Sequence, residues 1–452
     1  MKLRFNKINL LLLLFLFFMN ACKKDNVTKT ISNEGISDVK RISAQTAEKW
    51  VDLLRNIVAN ESINPPRAAR VYAYSSIAMY ESVVEGIAGN KSLQGQLNGF
   101  AANSISANTD SLDYEIVLNE AISIVSKCDT IIPAIHQAIN QKDIDSINSL
   151  HDRILSSKTG LVLDSIIQKS KIRGAIVARA VINYAATDNF LTVKTYTYSV
   201  PSRDTNPSVW APTDLGHPNP VEPFWGQVRT FTQTSSSQFE IPQNILFDTD
   251  TSSAFGRQAR EVYNTVNNRT SEQNDIALWW RDATGTQTPA GHWMGALKYI
   301  FHIRNYKLDK AVELYALTAI ATADAFISCW DAKYKYNLLR PETYIKDYIQ
   351  GGWSTGQFDI TPPFPEYPSG HSVCSGAAAK VLSNALGNIT YTDSINVNIG
   401  YTARSFPSID SAANEAGISR LYGGIHFREA IESGLQQGRN IGQNVLTRIQ
   451  FR

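Results

Sequence analysis

A chain of 452 residues can hold one large domain or two smaller ones, and a composition of 43% hydrophobic and 19% charged residues is that of a globular protein. The formal net charge of +2 comes with no basic block or stripe, which argues against a nucleic-acid partner. Any cationic site must be assembled locally, by folding.

The first segment, MKLRFNKINLLLLLFLFFMNACKKDN, places Lys2, Arg4 and Lys7 ahead of an apolar run from Ile8 to Met19 broken only by Asn9. That is the layout of an export signal, and the run is short against the roughly 20 residues of a membrane span. Ala21-Cys22 resembles a bacterial lipobox, with Met19 in the usual Leu position. The resemblance implies a signal peptide over 1–21, cleavage before Cys22, lipidation of its thiol and attachment to a membrane. Lys23, where an acidic residue would signal inner-membrane retention, favours the outer membrane. A plain signal peptide cleaved nearby is the alternative. Residues 22–42 are polar and aperiodic and read as a tether. A helical body is expected over 43–452.

From Ser43 the pattern changes. SAQTAEKWVDLLRNIVAN spaces Trp50, Leu53, Leu54 and Ile57 as a helix does. NPPRAARVYAYSSIAMYESVVEG opens on prolines, a helix-start arrangement. Further helical stretches follow in DYEIVLNEAISIVSKC, HQAINQKDIDSINSLHDRIL and IIQKSKIRGAIVARAVINYAA. Residues 190–250 are rich in Pro, Thr, Ser and aromatics and read as a long irregular excursion, of the kind that walls or covers a site. Helical texture returns in AFGRQAREVYNTVNN, SEQNDIALWWRDA, GHWMGALKYIFHI and AVELYALTAIATADAFISCWDAKYKYN, then in SVCSGAAAKVLSNALG and HFREAIESGLQQGRNIGQNVLTRIQ. Strand-like alternation is scarce, so the fold class is all-α, one helical bundle or two fused ones. Without Cys22 the thiols are Cys128, Cys329 and Cys374, with no C-x-x-C and no metal-ligand spacing. They read as buried small hydrophobes, and a Cys329–Cys374 disulfide is allowed but not demanded.

Three clusters near the C-terminus carry chemistry. WDAKYKYNLLRPETY contains Trp330, Lys333, Arg340 and Pro341; YPSGHS contains Ser369, Gly370 and His371; ISRLYGGIHFREA contains Ser419, Arg420 and His426. Lys333 and Arg340 are seven apart, so one continuous helix would point them the same way, with Pro341 ending or kinking it. Ser369-Gly370-His371 opens a helix, where unpaired N–H groups favour an oxyanion and a glycine lets it approach. Arginine suits forked hydrogen bonds to a tetrahedral oxyanion. Each cluster alone is commonplace: a surface lysine, an Arg-Pro, a capped helix with a satisfied histidine. Their joint occurrence in this order is not.

The order K-x6-R-P, P-S-G-H, S-R-x5-H resembles the signature of the superfamily that joins type 2 phosphatidic acid phosphatases with vanadium-dependent haloperoxidases. Here it reads Lys333-YKYNLL-Arg340-Pro341, Pro368-Ser369-Gly370-His371 and Ser419-Arg420-LYGGI-His426, within 330–430. Trp330 and the phrase PPFPEYPSGH resemble the haloperoxidase branch. Ala430 stands where the phosphatases usually carry an Asp four residues after the last histidine, and Glu429 and Glu432 point elsewhere on a helix.

The resemblance implies vanadate as cofactor, in a pocket that phosphate could also occupy. His426 would bond the metal, while Lys333, Arg340 and Arg420 would neutralise the equatorial oxygens with help from Ser369 and the Gly370 N–H. His371 would be the acid–base group, and Lys333 would also polarise the oxidant. Asp282 in LWWRDATG would stand behind an active-site arginine, and Phe364, seven before His371, bears on halide choice; Phe there goes with chloro- and iodoperoxidase-like members. His292 could line the pocket or be structural; His136, His151, His217 and His302 fit no block. The implied function is oxidation of halide, iodide or bromide, by hydrogen peroxide, with an organic acceptor open. An acid phosphatase on the same pocket and a non-catalytic oxyanion-binding lipoprotein are the alternatives; intact pocket residues speak against the latter.

Overall fold

The computed structural model describes residues 38–132, 139–213, 216, 219–356 and 361–452. The signal peptide, Cys22, the tether up to residue 37, His136 and His217 lie outside them. Fourteen α-helices are described: α1 (Gln45–Asn60), α2 (Pro65–Val83), α3 (Tyr114–Val125), α4 (Gln141–Lys158), α5 (Asp164–Ala186), the single turn α6 (Phe190–Val193), α7 (Ala254–Asn267), α8 (Ser271–Trp279), α9 (Thr288–Arg304), α10 (Leu308–Tyr336), α11 (Pro341–Tyr348), α12 (Gly370–Leu386), α13 (Ile409–Tyr422) and α14 (Arg428–Arg448). One small antiparallel hairpin joins them, β1 (Tyr391–Asp393) on β2 (Arg404–Phe406), with Thr392 opposite Ser405. The all-α expectation holds.

Local signals start the helices where the sequence suggests. Asn64 caps α2 by accepting from the Arg67 N–H, with Pro65 and Pro66 in the first turn. Thr270 and Gln273 form a reciprocal capping box at α8. The central element is α10. It is long and apolar enough to cross a membrane, but its apolar stretch is wholly buried in protein. Helices α2, α9, α12 and α14 pack around it, so the fold is a layered bundle about one apolar mast.

The pair α12 and α14 is packed backbone to backbone. Gly434 and Gly438 sit one turn apart on α14. A Cβ at Gly438 would collide with the Val373 carbonyl oxygen, and one at Gly434 would stand 2.8 Å from Ser372 Cβ. The Ser369 N–H, at the mouth of α12, donates to the Ala430 carbonyl at 3.0 Å. Two helix starts are thereby clamped side by side.

The structure departs from the sequence reading at several points. Residues 38–42, assigned to the tether, pack onto the body: Val39 is fully buried and the Leu308 N–H donates to Ile42 O. Helices α11 and α13 and the hairpin were not expected. Helix α10 stops at Asn337, which is left-handed at φ 49°, so Arg340 is not on the lysine's helix. Pro341 starts α11 instead of ending α10. The described residues of 190–250 are irregular as expected, apart from α6 and a short 3-10 turn. The segment is tied down at residues 231–232 by Asp324 of α10, whose buried carboxylate accepts from the N–H groups of Phe231 and Thr232 at 2.6 and 2.9 Å.

Candidate active site

A cavity of about 630 Å³ opens where α10, α12 and the loop before α14 meet. Trp330, Phe364, Gly370, His371, Arg420 and His426 line it. Lys333, Arg340 and Ser369 do not line it; each is fully buried just behind the wall. Every core residue named from the sequence therefore converges here, although Lys333 and Arg340 do so through a helix break and not along one helix.

The proline-rich segment 362–368 is the wall that organises the cations. Lys333 Nζ donates to the carbonyls of Pro365 and Glu366, both at 2.9 Å. Lysine has three donors, so one remains for a ligand. Arg340 Nε donates to Phe364 O at 2.9 Å and Nη1 to Ile425 O at 2.9 Å, with Nη1 also 3.2 Å from His426 Nε2. Phe364 lies over both charges, 5.2 Å from Lys333 Nζ and 4.8 Å from the Arg340 guanidinium carbon, and packs on Trp330 at 4.9 Å. Arg420 Nε donates to Ser419 Oγ at 2.8 Å and Nη2 to Ala277 O at 3.0 Å. Val221 of the long excursion closes the other wall, accepting from Trp330 Nε1 and Tyr334 Oη.

Burial dominates the electrostatics. It lowers Lys333 to about 7, Arg340 to about 10 and Arg420 to about 9. It pushes Glu366 up to about 7, against the pull of Lys333 and Arg340. Burial and then the neighbouring cations hold His371 and His426 well below the ordinary imidazole range, so both are neutral bases. A cluster in which every basic group is depressed is short of negative charge. An oxyanion would supply it.

Glu366 was not anticipated. Its Oε1 accepts from His426 Nδ1 and from the Phe427 N–H, both at 2.8 Å. That bond puts the proton on Nδ1 and leaves the Nε2 lone pair on the cavity side, where it accepts from Arg340 Nη1 at 3.2 Å. The one signal in the sequence is an acid set among prolines, PEYP, in a segment otherwise built for stiffness. Ala430 leaves the position four residues after His426 without a carboxylate, but Glu366 supplies an orienting one from another element. Ala430 is fully buried, and Glu429 turns away to accept from the N–H groups of Asn244 and Ile245.

Asp282 sits one layer out, in a turn after α8, left-handed at φ 35°. It pairs with His292 at 2.9 Å instead of bridging directly to an arginine, though its charge also acts on Arg420. His292 is structural: it stands between Asp282 and Asp393, 3.0 Å from the latter, and stacks on Trp280 at 4.3 Å. Burial alone would lower His292, but the two aspartates outweigh it and push it up to about 10. The same turn steers His371, whose ring is hydrogen-bonded by the backbone of Arg281 and Trp280. His371 Nε2 has no partner among the described residues. Cys329 and Cys374 are free buried thiols. His151 and His302 form peripheral pairs with Glu120 and Glu48.

A buried cationic cluster, two neutral imidazoles aimed at one cavity and a helix start capped by Ser369 define a helical enzyme that holds a tetrahedral oxyanion. The orphaned His371 Nε2, the spare Lys333 donor and the oriented His426 Nε2 fit vanadate. A family model described as the VCPO second helical-bundle domain matches residues 313–452. A solved bacterial vanadium-dependent iodoperoxidase superposes with a TM-score of 0.83 at 34% identity, over 90% of this chain and 97% of that one. A holo-type bacterial vanadium-dependent chloroperoxidase shares the fold, with a TM-score of 0.62 at 17% identity over 93% and 95% of the two chains. The vanadium chloroperoxidase of Curvularia inaequalis is 24% identical over 226 residues, 41% of this chain and 37% of that protein. The chain belongs to the vanadium-dependent haloperoxidase family, peroxidases whose cofactor is vanadate.

Proposed function

We propose that the chain oxidises halide with hydrogen peroxide, with iodide favoured. The single observation that carries the reading is the oriented pair of neutral imidazoles, His426 Nε2 and His371 Nε2, facing one cavity backed by Lys333, Arg340 and Arg420. Vanadate, when bound, supplies Lewis-acid activation of peroxide without changing its own oxidation state. His426 is the residue that would bond the metal, through Nε2. Lys333, Arg340 and Arg420 neutralise oxyanion charge in fixed positions. His371 Nε2, a base with no partner among the described residues, takes and returns the proton that peroxide must shed. Trp330 and Phe364 keep that corner apolar. The preference for iodide rests on Phe364 and on the likeness to a bacterial iodoperoxidase.

Phe364→His is expected to raise the ratio of bromide to iodide kcat/KM, because a polar ring over Lys333 and Arg340 replaces an apolar one. Steady-state kinetics with both halides check this, and an unchanged ratio would remove Phe364 from halide choice.

Oxyanion binding is expected to weaken as pH rises through about 7. Burial lowers Lys333 and raises Glu366, each to about 7. Deprotonating either subtracts positive charge from the pocket, so both titrations act in the same direction, and binding takes up protons above that point. Vanadate or phosphate affinity by calorimetry at pH 6, 7 and 8 tests the sign; affinity that rises with pH would contradict it.

One observation favours a second reading. The Glu366–His426 dyad also describes a histidine nucleophile with its orienting carboxylate, as acid phosphatase chemistry needs. The deciding experiment takes the protein without its first 22 residues, reconstitutes it with vanadate, and assays iodide and bromide oxidation beside p-nitrophenyl phosphate hydrolysis. Vanadate-dependent halide oxidation supports the first reading. Phosphate release inhibited by vanadate would replace it with the second. Inactivity in both assays would leave an oxyanion-binding protein.

The export reading extends this proposal: lipidation at Cys22 would place the enzyme on the outer membrane. Cys22→Ser is the control, expected to release the protein from the membrane fraction.

A further inference from the structure

We propose that Arg281 is an anion guide at the mouth of the cavity, selecting halide over neutral or cationic solutes. The proposal rests on the haloperoxidase reading for the identity of the anion, and on geometry for the site.

Among the described residues, three charged ones line the cavity: Arg281, Asp282 and Arg420. Asp282 is buried and committed to His292 at 2.9 Å. Arg420 is buried at the inner end. Arg281 is the exposed one. The other described residues of the outer lining, among them Ser62, Asn64, Val221, Thr284 and Pro363, are neutral. Arg281 takes part in none of the ion pairs among the described residues, so its charge is not spent on a carboxylate. Its field reaches inward, since it is one of the groups that lower Arg420.

The side chain is also held at a fixed base. The Arg281 N–H donates to Leu278 O at 3.1 Å. Trp280 before it is buried, with Nε1 bonded to Glu415 at 3.0 Å, and Asp282 after it is clamped by His292. The Cα from which the arginine projects is thereby fixed beside the mouth. An entering anion meets Arg281 first, then Arg420, then the Arg340 and Lys333 layer behind the wall. A water-filled mouth with low-dielectric walls, whose one carboxylate among the described lining residues is paired with His292, focuses the field of its arginines and raises local counter-ion concentration. Hydrogen peroxide is neutral and gains nothing from it. Hypohalous acid is neutral too, so the product is not held back on the way out.

The test separates anion from neutral solute. In vanadate-loaded enzyme, Arg281→Gln should raise the iodide KM about 3- to 10-fold, the size of one unit charge at short range in a watery mouth, and leave the peroxide KM within about twofold. Arg281→Glu should raise it further. Added sulfate salt should lower iodide kcat/KM in the wild type more than in Arg281→Gln. A second readout needs neither vanadate nor turnover. All eight tryptophans are buried and Trp330 lines the cavity, so fluorescence quenching reports access through this mouth. Arg281→Gln should weaken quenching by iodide and not by neutral acrylamide. An unchanged iodide KM in both variants, an equal rise in the peroxide KM, or equal loss of quenching by iodide and acrylamide would each overturn the proposal. If the wild-type protein oxidises no halide, the haloperoxidase reading fails on its own, and the quenching comparison still decides whether Arg281 guides anions.

Discussion

His426→Ala is expected to abolish vanadate-dependent halide oxidation and to leave the fold intact. The His426 Nε2 is set on the cavity side by a carboxylate on the far ring nitrogen, Glu366 at 2.8 Å, and its contact there is Arg340 Nη1 at 3.2 Å, which a metal would displace. Alanine removes the metal's only nitrogen donor in the proposed site. The loss should go well beyond the roughly 10- to 100-fold typical of deleting an outer partner. His426 is buried but lies on the wall of a cavity, so truncation enlarges existing space and does not tear the core. Vanadate affinity by equilibrium dialysis should collapse in parallel with activity, while residual oxyanion binding through Lys333, Arg340 and Arg420 persists as weak phosphate binding. Retained activity with retained tight vanadate binding would show that the ligand is misassigned.

Glu366→Gln carries the second largest effect. The amide can still accept from His426 Nδ1 and from the Phe427 N–H, so geometry is largely kept. What goes is the charge that makes Nε2 a better donor and that partly offsets Arg340 and Lys333. Vanadate affinity is expected to fall about 10- to 100-fold. The apo protein should lose thermal stability, because a buried cluster of cations has lost its one internal anion, and added phosphate or vanadate should restore part of it by binding only the folded state. A variant as active and as tightly binding as wild type would mean that the Nδ1 partner only caps the Phe427 N–H.

The sequence made the helices legible where periodicity and caps coincide, as at Asn64-Pro65-Pro66 and along the apolar run of α10. Helix α13 was not, because IDSAANEAGISRLY packs with Ala412, Ala413, Ala416 and Gly417, small residues that leave no 3.6-residue stripe of bulk. Helix α11 was hidden behind Pro341, which reads equally as a stop or a start. Within the site, motif order located Lys333, Arg340, Ser369, Gly370, His371, Arg420 and His426. It could not locate the contacts made by backbone carbonyls, such as Lys333 to Pro365 and Glu366, since any residue offers a carbonyl. Glu366 and Arg281 were missed for a related reason: each acts through where the chain turns, and the turns at Tyr367-Pro368 and at Asp282 have no spacing rule.

The glycine seam between α12 and α14 has a consequence for heredity. The interval between the helix start that carries His371 and the one that follows His426 is gauged by main-chain atoms, which no codon change can enlarge or shrink. Side chains elsewhere in the bundle are free to drift without resetting that interval. Side chains around the seam can thus change while the two imidazoles keep the same separation, provided the seam glycines, where there is no side chain to begin with, are kept.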